Sequence, residues 1–131
     1  MALITKNNLL KFDAAIWVIF GLLWIFFPNC LLSMNTAKMK YDDVHIHMTR
    51  AFGLFIIYSG IVSYCTSSKD ENQMNKVMKL RLSFSVILLA IMIFDNYNSN
   101  LWNIKHVQFG MTGLVLSMLV PLLGLNLHLI N

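Results

Sequence analysis

Apolar residues gather into four stretches, Ala14 to Leu32, Ala51 to Thr66, Leu82 to Phe94 and Val107 to Leu125. Short polar segments part them and carry nearly every charge. A helix needs roughly 20 apolar residues to cross a hydrocarbon layer about 30 Å thick, so the pattern predicts four transmembrane helices. With the flanking residues that complete each helix, the spans run over about 13–32, 50–67, 77–96 and 106–127. The predicted fold is therefore all-α: an integral membrane, four-transmembrane-helix antiparallel up-down bundle forming one domain over residues 1–131.

The stretches are unequal. Pro28 lies in the last turns of the first, and its missing N–H predicts a bend or helix end there. The third is free of charge only from Leu82 to Phe94, which covers about 20 Å at 1.5 Å per residue. Its helix must extend back through Val77 to Arg81 and forward past Asp95, with Lys79 and Arg81 reaching toward the headgroups. The longest connection, from Ser33 to about Met48, is expected to hold a short interfacial helix or an early start to the second span.

Composition sharpens this picture. Hydrophobic residues are 57% of the 131 and charged residues 12%, about half the usual charged share. The mean hydropathy is +0.63. The net charge of +4 comes from basic residues spread over span ends, with no interleaved aromatic stripe. It therefore points to helix anchoring and not to nucleic acid. Lys6, Lys11, Lys69, Lys76, Lys79 and Arg81 outnumber Lys38, Lys40, Arg50 and Lys105 on the other side. This bias places both termini in the cytosol, in the endoplasmic reticulum or plasma membrane. The first stretch ends without a small-x-small cleavage site, so it is expected to remain as an anchor. Cys30 and Cys65 fall at opposite ends of an up-down bundle, too far apart for a disulfide, and are expected to be mostly buried thiols.

Small residues mark helix-packing faces. Gly110, Gly113, Ser117, Pro121 and Gly124 recur at spacings of three and four, and the second stretch carries Gly53, Gly60 and Ser63. Such stripes let backbones approach closely in lipid. They are expected to bring the second and fourth spans together or to dock a partner's transmembrane helix. Charges within lipid need partners, and Arg50 with Asp95 is the expected structural ion pair, locking spans two and three. Asp13 either meets Arg81 or caps the first helix. Trp17 and Trp24 share a helix face, read as a lipid or packing face.

Candidate chemistry is thin. His45, His47 and His106 fall on one side of the predicted membrane near Asp42 and Asp43. Asp43 and His47 have the i,i+4 spacing of two metal ligands, but no complete ligand motif occurs. No cofactor and no metal are expected.

Gly21 and Pro28 late in the first span, Arg50-Ala51-Phe52-Gly53 opening the second, Gly60 within it and a basic turn before the third form a layout. It resembles the DoxX-like group of small four-helix membrane proteins. The resemblance covers the whole chain in hydropathy and few residues in identity. It implies a subunit or assembly factor of a larger membrane complex, and carries over no catalytic residue. The expected function is thus a non-enzymatic accessory, assembly or scaffold subunit of a channel, receptor or lipid-handling machine. Its partners would be membrane lipids and other transmembrane subunits. A small lipid-binding or transport protein is the second expectation, and a metal-dependent membrane enzyme using the His45–His47 loop the third.

Overall fold

The computed structural model describes residues 4–35, 42–99 and 104–127. Within them side chains are described except at 34–35, 96, 98–99 and 104–113. The described residues form five helices: α1 (Lys6–Phe26), α2 (Pro28–Asn35), α3 (Asp43–Thr66), α4 (Glu71–Ser99) and α5 (Ile104–Leu125).

Local chemistry sets the helix ends. The Thr5 hydroxyl accepts from the Asn8 N–H at 3.2 Å and caps α1. At the other end Phe27 leaves helical geometry with φ −123° and ψ 47°. Pro28 has no N–H to offer the Trp24 carbonyl, so the helix breaks and Pro28 opens α2 instead, where a first-turn proline is tolerated. Asp42 caps α3, its carboxylate accepting from the His45 backbone N–H at 3.2 Å. The Asp70 carboxylate accepts from the Gln73 N–H at 2.9 Å ahead of α4.

Helix α3 begins at Asp43, seven residues before Arg50, so the second apolar stretch starts its helix early. The short α2 follows directly on α1. Helix α4 runs unbroken over 29 residues, well beyond its charge-free centre at both ends. Pro121 lies inside α5, completely buried, and its missing N–H leaves the Ser117 carbonyl without its intrahelical donor.

The contacts define the arrangement. Helix α3 runs antiparallel to α1: Gly53 lies against Gly21, Gly60 against Ala14 and Ser63 against Asp13. Helix α4 runs parallel to α1, joined by Lys6–Glu71 and Asp13–Arg81. Helix α5 runs antiparallel to α4, with Ser117 on Ser85 and Gly124 on Met78. Helix α1 is thus the central element, with α3 on one side and the α4–α5 pair on the other.

The polarity of this fold is inverted relative to a water-soluble bundle. Asp13, Thr49, Ser63, Arg81, Ser85 and Ser117 are buried, whereas Phe12, Ile19, Phe26, Leu54, Ile87 and Phe94 are exposed. Soluble domains rarely leave so many large apolar side chains outward. Among the described residues, α1, α3 and α4 up to Asp95 are long and apolar enough to cross a membrane, the mark of a membrane protein. The 21 residues of α1 alone span about 32 Å. The stretch of α5 with described side chains, Leu114–Leu125, is apolar but shorter.

Candidate functional site

Arg81, Ser63 and Trp17 converge on one buried carboxylate, that of Asp13. Asp13 stands two turns into α1 and is 2% exposed, so its charge must be met from within. Arg81 of α4 donates to Asp13 Oδ2 through Nη2 at 2.8 Å and through Nε at 3.1 Å. Ser63 of α3 donates to the same oxygen at 2.8 Å and accepts from Arg81 Nε at 3.1 Å. The other oxygen, Oδ1, accepts from the Trp17 indole N–H at 2.9 Å, one helical turn further along α1. The guanidinium carbon of Arg81 sits 4.0 Å from the Trp17 ring centroid, a cation–π contact that covers the charge. Trp17 in turn packs at a tilt on Phe84, and Phe84 on Phe55.

This cluster joins three helices through one ion pair. A buried pair is favourable only when hydrogen bonds saturate its remaining capacity, and here both carboxylate oxygens are engaged. Leu10, Met78, Val120 and Pro121 close over Asp13 and Arg81, and the space among them is too tight to admit a water molecule. A second polar tie lies one turn along α4. The Ser117 hydroxyl donates to the Leu114 carbonyl at 2.7 Å. With that single proton used, Ser85 supplies the donor across the 3.1 Å contact to Ser117. Near the start of α1 and α4, Asn7 and Asn75 each bury a side-chain oxygen that has no hydrogen-bond partner among the described residues.

The small residues lie at the closest helix contacts. A Cβ on Gly53 would come within 2.8 Å of the Gly21 carbonyl oxygen, and one on Gly60 within 2.9 Å of the Ala14 carbonyl oxygen. The α3 face therefore rests on α1, whereas contact between the second and fourth spans was expected. The reason is that α1 brings Ala14 and Gly21 of its own to the crossing, so backbone meets backbone there. Gly124 of α5 lies against the Met78 thioether. Gly110 and Gly113 lie outside the residues whose surroundings are described.

Arg50 is exposed near the start of α3, and Asp95 is half-buried near the end of α4. Trp24 meets Phe52 edge-on at 5.7 Å, away from the polar cluster. Cys30 and Cys65 are exposed, against the expectation of burial, because both fall on outward positions of α2 and α3.

The histidine segment serves α3. Asp42 Oδ1 accepts from the His45 backbone N–H at 3.2 Å and lies 2.7 Å from His45 Nδ1. The hydrogen bond from the His45 side chain, with the backbone bond beside it, holds the Asp42 carboxyl below the ordinary carboxylate range. His47 is exposed, and the His106 side chain lies outside the described set. Among the described residues no group of three or more His, Cys, Asp or Glu is placed to hold a metal ion.

Of the cluster, Ser63 stood out in the sequence as a small packing residue and Asp13–Arg81 as one of two readings of Asp13. The part of Trp17 was missed. Its only sequence signal is the i,i+4 spacing from Asp13, which stacks the two on one helix face.

Fold and site together define a small helical protein with membrane-length helices, tied at its centre by a buried Asp–Arg pair. The chain belongs to the family described as Domain of unknown function (DUF8292), whose family model matches residues 3–126. Comparison with curated proteins and with solved structures gave no match.

Proposed function

We propose that the protein crosses the membrane four times as an antiparallel bundle and acts as a non-enzymatic accessory or scaffold subunit of a larger membrane complex. The observation that carries this reading is the use made of the interior. Asp13, Ser63, Arg81 and Trp17 are engaged with one another, and the space beside them is too tight for a water molecule. A relay, pore or catalytic chamber in lipid is built on polar groups that face a cavity or one another along a path. Here Asp13, Ser63, Arg81 and Trp17 form one joint and Ser85 with Ser117 a second, and both hold helices together. The outward surface, by contrast, is rich in large apolar side chains such as Ile87 and Ile91, stacked four residues apart on α4. Such a face is available to a neighbouring transmembrane helix. The resemblance to DoxX-like proteins points the same way.

The test is purification in mild detergent from the expressing membrane. A stoichiometric partner is expected, lost in the Ile87→Trp/Ile91→Trp variant while the chain itself stays folded. A chain that purifies alone and retains full biological effect in that variant would remove the accessory reading.

A further inference from the structure

We propose that the end of the molecule where α1 and α4 begin is a binding surface for anionic phospholipid headgroups. The inference rests on the membrane reading above but asks a separate question of it. The parallel starts of α1 and α4 are joined through Lys6 and Glu71, and α3 ends at the same place through the turn at residues 67–70. The fold thereby gathers five lysines (Lys6, Lys11, Lys69, Lys76 and Lys79) against two acids, Asp70 and Glu71.

Both acids are already engaged within the fold. Asp70 caps α4, and Glu71 pairs with Lys6. Lys11, Lys69, Lys76 and Lys79 are all exposed, leaving a surplus of positive charge facing outward. Arg81 contributes nothing to that surplus, because Asp13 neutralises it in the interior. Two of the lysines stand directly beside exposed apolar side chains, Lys11 beside Phe12 and Lys79 beside Leu80. That edge, apolar on one side and cationic on the other, suits the boundary between acyl chains and headgroups. Lysine stems lie along the apolar layer there while the ammonium groups reach phosphate oxygens. Basic clusters at this depth attract anionic lipid by charge.

The test places the full chain in phosphatidylcholine vesicles carrying either phosphatidylserine or phosphatidylcholine with brominated acyl chains. Each preparation carries Leu80→Trp, and the quenching that this exposed residue beside Lys79 adds to that of the native tryptophans reads which lipid adjoins the lysine-rich end, since Trp17 is buried and Trp24 lies toward the other end of α1. Brominated phosphatidylserine is expected to quench with several-fold higher affinity at low salt. The difference should fall toward parity at about 1 M salt, where screening acts within about 3 Å. The variant Lys11→Gln/Lys69→Gln/Lys76→Gln/Lys79→Gln changes exposed positions only, so helix content should hold while the preference disappears. Equal added quenching by the two lipids with all the lysines in place, or an undiminished preference in the lysine variant, overturns the proposal. Quenching by neither lipid would overturn the membrane reading itself, and the two failures are thereby told apart.

Discussion

Asp13 and Arg81 are charged side chains buried in the interior, and their mutual arrangement makes that burial tolerable. Removing one partner of a buried pair leaves an uncompensated charge, which costs about 3–5 kcal/mol. Arg81→Met is therefore expected to destabilise the chain by about 3 kcal/mol, since it strands the Asp13 carboxylate among Ser63 and Trp17. The double variant Asp13→Leu/Arg81→Met removes both charges and should recover most of that loss. Unfolding in mixed micelles, followed by circular dichroism, measures both. A single variant no less stable than Lys79→Met, at an exposed position nearby, would mean the pair holds nothing. At this scale the sequence was only half legible. Asp13 was seen either to meet Arg81 or to cap its own helix, and Arg50 with Asp95 offered the same chemistry. Opposite charges in a linear chain carry no register, and the choice among them is made by helices packing at a particular height.

Helix packing shows the same division between what a pattern reveals and what it leaves open. A face of small residues states that something approaches closely, and Gly53 and Gly60 announced such a face on α3. It does not state what approaches, because any helix with a small face of its own can accept it. Ala14 and Gly21 make α1 that helix. That the described residues fold into helices was legible for a stronger reason: long apolar stretches in lipid must satisfy their backbone internally. The glycine contacts predict unequal effects. Gly53→Ala would drive its methyl into the Gly21 carbonyl oxygen, a backbone atom that cannot move aside without shifting α1. Overpacking of this kind costs about 1–3 kcal/mol, and the upper part of that range is expected. Gly124→Ala meets instead the thioether of Met78, the far end of a flexible side chain, and should cost clearly less. Thermal melts of the two variants in the same detergent compare them directly. Equal losses would mean that the α1–α3 crossing is looser than its geometry.

For the whole molecule the decisive relation is between the direction of each helix and the side of the membrane its ends occupy. Helix α3 runs antiparallel to α1, so the end of α1 and the end of α3 lie at opposite ends of the bundle. Cys30 follows the end of α1 on α2, and Cys65 lies at the end of α3. Both thiols are exposed, which makes each a reporter for its own end. If the membrane-length helices cross a bilayer, the Cys30→Ser and Cys65→Ser variants, each keeping one thiol, must present it to opposite compartments. In sealed vesicles of uniform orientation, a charged maleimide added outside should label one variant at once and the other only after permeabilisation. The positive-inside bias adds a direction to this outcome. Cys65, beside the lysine-rich end, should be the thiol on the cytosolic side. Labelling of both from one side would place α1 and α3 along the membrane surface, where the Asp13–Arg81 pair would have no hydrocarbon to be shielded from. The sidedness of the two thiols thus decides whether the membrane-length helices cross the bilayer, and with it whether the buried pair lies within hydrocarbon.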